Sequence, residues 1–297
     1  MRRKHIFMPI VLIGALMLSG CGKEKDESGD ANAAPELSIM VEHMEEPENE
    51  TEEIFDPEAD DTSGVSEEAD MPEEPAQEKG KLIAIDAGHQ IKGNSEKEPV
   101  GPGATEMKAK VSSGTSGRTT GVPEYELNLQ VALKLKTELE GRGYTVIMTR
   151  ETNDINISNS ERAAIANDNN ADAFIRIHAN GDDNPSREGM MTICQTKNNK
   201  YCAEYYEASQ RLSSLVLDHM VLETGAKKEY VWETDTMSGI NWCKVPVTIV
   251  EMGYMTNQKE DTLMVTDEYQ NKIVKGIADG LDEYFSSGNE EVIDPEN

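Results

Sequence analysis

Three short apolar runs in this chain each stop at a side chain that can bind a metal ion or transfer a proton: His89, His178 and Glu251. The runs are rich in branched residues, which predicts short buried β-strands. In a parallel α/β sheet, the carboxyl ends of the strands line the crevice where ligands bind. We therefore expect the three side chains to meet in one active site. The runs cover residues 82–88, 173–177 and 247–250.

Strand patterns alternate with helix patterns across residues 81–286, a length sufficient for one domain with a sizeable core. In the helix predicted at about 124–140, apolar residues recur every fourth position and form one stripe. This alternation predicts an α/β fold, in which helices cover both faces of a mostly parallel sheet. Further helices are predicted at about 158–167, 202–223 and 267–285, and further strands at 144–149 and 190–195.

The first twenty residues have the pattern of an export signal. Basic residues at positions 2–4 precede an apolar stretch, residues 6–18, that is too short to span a membrane comfortably. The sequence Leu-Ser-Gly before Cys21 resembles a bacterial lipobox, in which the cysteine is lipidated and becomes the mature N-terminus. An ordinary secretory signal and an uncleaved anchor are the alternatives, and all three place the remaining chain outside the cytoplasm. We expect a signal peptide at 1–20 and a lipoprotein held by Cys21 on the outer face of the bacterial cell membrane.

An acidic segment separates this signal from the globular part. Residues 22–80 hold 22 Asp or Glu and three Lys, which is a net charge of −19 out of −29 for the whole chain. Scattered apolar residues and recurring prolines predict disorder, and self-repulsion favours an extended chain. We interpret residues 21–80 as a tether, with binding of a basic partner or of divalent cations as the alternative. The acidity argues against nucleic acid as a partner, and residues 287–297 are expected to form a polar tail.

Histidine and carboxylate side chains suit zinc, and catalytic zinc sites commonly use three protein ligands. The other three histidines lie in the signal, in the acidic segment and, as His219, within a predicted helix. The cysteines have no C-x-x-C spacing, so the third ligand should be a carboxylate, with Glu124, Glu126 and Glu251 as candidates. Position alone favours a capping role for Glu124, because an acidic residue at a helix start also interacts with the helix dipole.

Five motifs occur in the order Ile85-Asp86-Ala87-Gly88-His89, Glu124-x-x-x-Asn128-Leu129, Thr149-Arg150, Ile177-His178-Ala179-Asn180 and Val250-Glu251-Met252-Gly253-Tyr254-Met255-Thr256-Asn257. Together they resemble the zinc-dependent N-acetylmuramoyl-L-alanine amidases of bacterial cell walls, the amidase-3 family. The resemblance covers nearly the whole globular part and implies a twisted, mostly parallel sheet of about six strands. It implies that His89, Glu124 and His178 bind one Zn²⁺ per chain and that Glu251 is the catalytic carboxylate. Glu126 would then be an exposed helix residue, and it is retained as a second choice of ligand.

Two features depart from the pattern of that family. Ala87 stands where the family commonly has proline before the Gly-His pair, a small change that leaves the ligand intact. The segment between His89 and Glu124 is longer than in compact members, and its residues 91–122 are rich in glycine, serine and lysine. That composition predicts a mobile loop. A lid, a substrate-recognition loop and a regulatory plug are equally open interpretations.

The reaction that the resemblance implies is hydrolysis by zinc-activated water. The bond cleaved would be the amide between the lactyl group of N-acetylmuramic acid and the L-alanine of the peptidoglycan stem peptide. Glu251 would accept a proton as general base and then donate it to the leaving nitrogen as general acid. An ion pair of Glu251 with Arg150 or Arg176 is the structural alternative, since buried carboxylates pair with arginine.

Three further residues are weaker candidates for substrate binding: Arg176, Asn180 and Trp242. Arg176 lies two residues before His178 and should face the same side of its strand, because strand side chains alternate with a period of two. There it would bind a substrate carboxylate or neutralise the site. Trp232 and Trp242 are equally well interpreted as platforms for sugar rings and as core residues.

Three cysteines follow Cys21, and an exported protein permits one disulfide among them. Cys194 and Cys243 lie on or near predicted strands and are the slightly favoured pair. The odd count, which includes Cys202, is equally compatible with free thiols.

Two other functions compete with the amidase interpretation. One is a zinc peptidase that cleaves within the stem peptide, and the other is a lipoprotein that binds wall fragments without catalysis. For the amidase, the expected partners are peptidoglycan and, through the lipid, the membrane, and the expected state is a monomer.

Overall fold

The computed structural model describes residues 79–287. The predicted signal peptide and Cys21 lie outside the described residues, as do the predicted tether apart from residues 79–80 and the predicted tail apart from residue 287. No helix between residues 79 and 287 is both long enough and apolar enough to cross a membrane.

The strands are β1 (Leu82–Ala87), β2 (Asn94–Pro99), β3 (Met107–Val111), β4 (Thr145–Met148), β5 (Ala173–Asn180), β6 (Met190–Cys194), β7 (Lys228–Glu233) and β8 (Val247–Tyr254). Six of them form one sheet in the order β4-β1-β5-β8-β6-β7. Neighbours in this sheet are parallel except β6 and β8, which are antiparallel. The mostly parallel α/β fold of six strands is therefore confirmed, with β7 as an edge strand that the sequence pattern did not predict.

Helices cover both faces of this sheet. The first face packs against α1, α3 and α6, and it buries apolar side chains such as Ile85 and Ile177. The second face packs against α2 and α4, and it buries Ala84 and Phe174. The short helix α5 was not predicted from the sequence, and a single 3-10 turn precedes α3. The helices are α1 (Glu124–Gly141), α2 (Asn159–Asp168), α3 (Tyr206–Thr224), α4 (Ser238–Asn241), α5 (Gln258–Met264) and α6 (Asp267–Ser286).

Strand alternation places the functional side chains on the second face. In β5, Ile177 enters the core of the first face, so Arg176 and His178 face the other side. Glu251 pairs in register with His178 across the β5–β8 ladder. Both strands continue beyond these residues, so only His89 lies past the end of its strand. The expectation of three strand ends was thus wrong for His178 and Glu251. The three side chains nevertheless lie together, near the carboxyl ends of β1, β5 and β8.

The segment 91–122 is not a structureless loop. It contains the antiparallel hairpin of β2 and β3, which is separate from the main sheet. Glu98 in this hairpin accepts hydrogen bonds from Ser160 at the start of α2, and Lys108 donates to the carbonyl of Thr236. Its polar composition concealed the strands, because the hairpin lacks a clear alternation of apolar and polar residues. The segment is therefore a hairpin with connecting residues, and its mobility stays a prediction.

Candidate metal centre and active site

His89 occupies an unusual backbone position directly after β1. Its φ of 62° lies in the left-handed region, which is uncommon for any residue other than glycine. The guanidinium of Arg162 donates to the His89 carbonyl at 2.8 Å and helps to hold this conformation. The Nδ1 atom of His89 lies 2.9 Å from the carbonyl oxygen of Ser112. Because a carbonyl only accepts, Nδ1 donates to it, and Nε2 is the nitrogen that faces the site.

Glu124 is the first residue of α1, yet its side chain does not cap that helix. It is buried, with 3% of its surface exposed. Its Oε2 accepts from the backbone N–H of Thr115 at 2.8 Å, and its Oε1 accepts from the N–H of Ala179 at 3.2 Å. Burial raises the pKa of Glu124, but hydrogen bonds with His178 and His89 outweigh it and hold the pKa well below the ordinary value. Glu126, the second-choice ligand, is exposed on α1.

Three potential ligand atoms converge at nearly equal distances. Glu124 Oε1 lies 3.1 Å from His89 Nε2 and 3.2 Å from His178 Nδ1, and the two nitrogens are 3.1 Å apart. Ligands about 2.0–2.1 Å from a tetrahedral zinc ion are about 3.3 Å from each other. The donor set and its spacing therefore fit one zinc ion with an open fourth position. No other group of three or more potential ligands was found within residues 79–287.

The two histidines differ in their environments. Burial lowers the pKa of His178 to about 4, which favours the neutral imidazole that binds metals. Burial also lowers the pKa of His89, but its hydrogen bond with Glu124 outweighs this and raises the pKa above the ordinary value. His178 Nε2 is buried without a hydrogen-bond partner and packs on Gly88, where an added Cβ would lie 2.2 Å from it. Glycine is thus the only residue type at position 88 that leaves room for the His178 ring.

Glu251 lies beside the three-ligand group but is not part of it. Its Oε2 is buried and has no hydrogen-bond partner among the described residues. Burial, and then the charge of Glu124, raise the pKa of Glu251 well above the ordinary value. Arg150 donates instead to backbone carbonyls, and Arg176 pairs with Asp86. The alternative ion pair of Glu251 with either arginine is therefore wrong.

An open cavity of about 720 Å³ surrounds these groups. All four of the predicted ligand and catalytic residues line it. The remaining walls are the segment 112–115, which follows β3, residues 179–183 at the end of β5, and Thr256 after β8. Asn180 is among these lining residues, which is compatible with substrate binding. Its role in substrate binding stays a prediction.

The other predicted substrate contacts lie apart from this open cavity. Arg176 is buried beneath the site and lines a second, smaller cavity. Trp242 is half-buried against the core of the second sheet face, where its Nε1 donates to the carbonyl of Pro99. It lines neither cavity next to Glu251, so the structure does not bring it to the site. Trp232 is exposed on the edge strand β7.

The favoured disulfide between Cys194 and Cys243 is not formed. These two cysteines and Cys202 are free and buried. Burial raises the pKa of Cys194 and of Cys202 to about 12, so both are protonated, unreactive thiols near neutral pH. The cysteines therefore serve as small core residues.

A network of buried charged residues lies next to the site and supports it. The sequence did not show that these residues contact one another. Asp86 accepts from Arg162 at 2.6 Å and from Arg176 at 2.9 Å. Burial raises the pKa of Asp86, but the two guanidinium groups outweigh it and hold the pKa far below the ordinary value. Arg150 links the two ligand-bearing segments, since it donates to the carbonyls of Gly88 and Tyr125. Asp86 and Arg150 lie within the motifs that resemble the amidase family. That position was the only feature of the sequence that pointed to a role for them.

Comparison with known proteins gives both a sequence match and a fold match. The model of the Amidase_3 family, described as N-acetylmuramoyl-L-alanine amidase, matches residues 83–283. The N-acetylmuramoyl-L-alanine amidase LytC of Bacillus subtilis is 30% identical over 175 residues, which are 58% of this chain and 33% of LytC. The probable cell wall amidase LytH of Staphylococcus aureus is 27% identical over 208 residues, which are 70% of this chain and 60% of LytH. The chain therefore spans only part of these two relatives.

A solved structure shows the same fold. The N-acetylmuramyl-L-alanine amidase Ami1 from Mycobacterium smegmatis superposes with a TM-score of 0.63 at 23% identity, covering 70% of this chain and 98% of Ami1. The matched region includes all eight strands except the first residue of β1. From its sequence match and its fold, the chain belongs to the Amidase_3 family of N-acetylmuramoyl-L-alanine amidases.

Proposed function

We propose that this protein is a zinc-dependent peptidoglycan amidase. It hydrolyses the amide between the lactyl group of N-acetylmuramic acid and the L-alanine of the stem peptide. The observation that carries the proposal is the triangle of His89, Glu124 and His178, whose ligand atoms are 3.1–3.2 Å apart beside the unpartnered carboxylate of Glu251. Within a domain of this family, that arrangement supplies a metal site and an acid–base group in one open cavity.

His89, Glu124 and His178 would hold the zinc ion, and the contacts around them keep the ligands in place. Zinc at this position supplies Lewis acidity, which makes water a stronger acid and an amide carbonyl a better electrophile. Ser112 fixes the tautomer of His89 through Nδ1, and Thr115 orients the carboxylate of Glu124. Both contacts come from the segment that follows β3, so the inserted hairpin contributes to metal binding.

Glu251 would carry the proton. It is ready to bind one because its buried Oε2 has no competing donor and burial favours the neutral form. As general base, it takes a proton from the attacking water; as general acid, it returns that proton to the leaving nitrogen of L-alanine. A raised pKa brings the group closer to neutral pH, where such a two-way transfer is most efficient. Asn180, on the wall of the same cavity, is the proposed contact with the substrate.

The N-terminal sequence supports a proposal for the place of action. We propose that residues 1–20 are a lipoprotein signal, that Cys21 carries the lipid and that residues 21–80 tether the catalytic domain, residues 81–286. A sixty-residue tether has a maximum length of roughly 200 Å. That length allows an enzyme on the outer face of the cell membrane to reach the wall above it. The proposed working unit is a monomer.

Mass spectrometry of the digestion products tests this function. The full chain, loaded with zinc, is incubated with purified peptidoglycan with and without a chelator. The amidase releases intact stem peptides with free N-terminal L-alanine, and the chelator abolishes the release. Cleavage within the stem peptide would indicate the zinc peptidase instead. Binding to peptidoglycan without cleavage, by protein whose zinc content has been verified, would indicate the non-catalytic lipoprotein.

A further inference from the structure

A second cavity, of about 230 Å³, adjoins the catalytic residues, and Asn180 does not line it. It shares His89, Ser112, His178 and Glu251 with the open cavity, and its remaining lining residues line this small cavity alone. Strand β3, the start of α2, helix α4 and the strands β6 and β8 surround it. The residues that these elements contribute include Val111, Asn159, Ile193, Gly239 and Ile249.

Arg176 forms the polar wall of this small cavity. Its side chain is 4% exposed, its Nε donates to Asp86 at 2.9 Å, and its Nη2 donates to Asn159 at 3.1 Å. No hydrogen bond of Nη1 occurs among the described residues. An added Cβ at Gly239 would lie 1.8 Å from Nη1, so the space for the guanidinium depends on the glycine. The buried guanidinium therefore keeps one nitrogen available beside the cavity.

The ion pairs around Arg176 are not balanced, and Glu251, the other carboxyl group of this cavity, pairs with neither arginine. Asp86 is shared between Arg162 and Arg176, so one carboxylate faces two guanidinium groups. Buried charges are normally paired, because an unpaired charge in a low-dielectric interior is costly. A bound anion in the small cavity would supply the missing partner. Arginine is also suited to carboxylates, since its planar fork matches their two oxygens.

The size of the cavity limits what enters it. Pockets that enclose a whole small ligand measure about 300–1,000 Å³, so a cavity of about 230 Å³ takes only a fragment of a larger substrate. A glycan strand continues in both directions and requires the open cavity. A short branch that ends in a carboxylate fits the enclosed one. In stem peptides, the residue after L-alanine is a γ-linked glutamate, whose α-carboxyl group is such a branch and is either free or amidated.

We infer that the small cavity is a specificity pocket for a carboxylate on the stem peptide next to the scissile amide, with Arg176 as the residue that binds it. This inference rests on the proposed amidase function and adds a preference between two forms of its substrate. Selection arises because the free carboxylate pairs with the guanidinium, whereas a carboxamide leaves Arg176 with only the carboxylate of Asp86, which Arg162 shares.

The direct test compares two synthetic muramoyl peptides that differ only in this group, one with the free α-carboxylate and one with the α-carboxamide. With the zinc-loaded full chain, kcat/KM for the carboxylate substrate should exceed that for the carboxamide by about tenfold or more. Equal values, or a preference for the carboxamide, would overturn the inference while leaving the amidase function intact. Failure to cleave either substrate would overturn the amidase function, and this inference with it.

Variants locate the preference in the pocket. Arg176→Lys keeps a positive charge near Asp86 but loses the planar fork, so the preference should fall toward unity while the zinc content stays the same. Met237 lines the pocket and is half-buried. Met237→Trp fills the space at a residue that forms no ion pair, and it should reduce both kcat/KM values and remove the preference. Leu222→Trp, at a 75% exposed position on α3, is the matched control and should behave as wild type. An unchanged preference in both pocket variants would contradict the assignment.

Discussion

The carboxyl end of β1 and the middle of β8 contribute to the same site in opposite ways. At the end of β1, the carbonyls of Ala87, Gly88 and His89 all accept hydrogen bonds from buried arginines. On β8, Glu251 has a buried oxygen with no partner. The first region is fixed before any ligand arrives, as a metal site requires. The second retains an unsatisfied group, which is costly for stability but leaves the carboxylate able to exchange protons.

Replacing Glu251 with Gln should produce the largest effect on activity. The amide has nearly the same shape but cannot transfer the proton, so kcat should fall by about 10²–10⁴-fold. Because burial disfavours the charged carboxylate, the variant should also be at least as stable as wild type in urea unfolding at neutral pH. Near-normal turnover would show that Glu251 does not carry the proton.

Removing the charge of Asp86 should have the largest effect on stability. Asp86→Asn leaves Arg162 and Arg176 without a buried counter-ion, and such a loss costs about 3–5 kcal/mol in the free energy of unfolding. Urea unfolding at neutral pH measures this cost. Glu268→Gln, at an exposed ion pair on α6, is the control with little expected change.

The same carboxylate predicts a pH dependence. The folded pKa of Asp86 is held far below its unfolded value of about 3.9. Its contribution to stability is therefore complete above the unfolded pKa and is lost as the pH falls toward the folded pKa. Unfolding experiments from pH 7 down to pH 3 should show a smaller acid-induced loss for Asp86→Asn than for wild type. Parallel losses in the two proteins would show that Asp86 is not the responsible group.

Breaking the link between the two ligand-bearing segments should have an intermediate effect. Arg150→Met removes the donors to Gly88 and Tyr125, the neighbours of His89 and Glu124. Loss of such supporting contacts typically lowers metal affinity by about 10–100-fold. Competition with a chromophoric chelator measures the zinc affinity, and Lys272→Met at an exposed ion pair is the control. An unchanged affinity would mean that the ligands hold their positions without this arginine.

The smallest effect is expected at the cap of α2, the helix that carries Arg162. Ser158 forms a reciprocal capping box with Glu161. Ser158→Ala should cost about 1 kcal/mol in the free energy of unfolding, with zinc affinity nearly unchanged. A large loss of zinc affinity in this variant would show that the network below β1 is less rigid than its contacts indicate.

The sequence was sufficient for the fold class and for the strands of the core, because alternation and branched residues mark buried strands directly. It also placed His89, His178 and Glu251 together. Glu124 was harder, since a glutamate at a helix start has the same pattern whether it caps the helix or turns into a cavity. Only the tertiary contacts of its two oxygens separate these roles.

Other features depended on contacts between distant segments, which local patterns do not contain. The polar hairpin of β2 and β3 is held by the Ser160 side chain of α2 and by the backbone carbonyl of Thr236, in the segment before α4. The pairing of Arg176 with Asp86 joins residues 90 positions apart. The predicted disulfide was wrong because the position of a cysteine on a strand does not determine which side chain it faces.

Zinc affinity in two matched variants, Glu124→Gln and Glu251→Gln, tests the central division between ligands and proton carrier most directly. Each change removes one carboxylate from the same cavity and preserves its shape. We predict that Glu251→Gln binds one zinc ion per chain with nearly wild-type affinity. For Glu124→Gln, zinc affinity should fall further than the decrease of about 10–100-fold that is typical when a supporting contact is lost. Equal losses in the two variants, or a larger loss for Glu251→Gln, would contradict the assignment of the metal site.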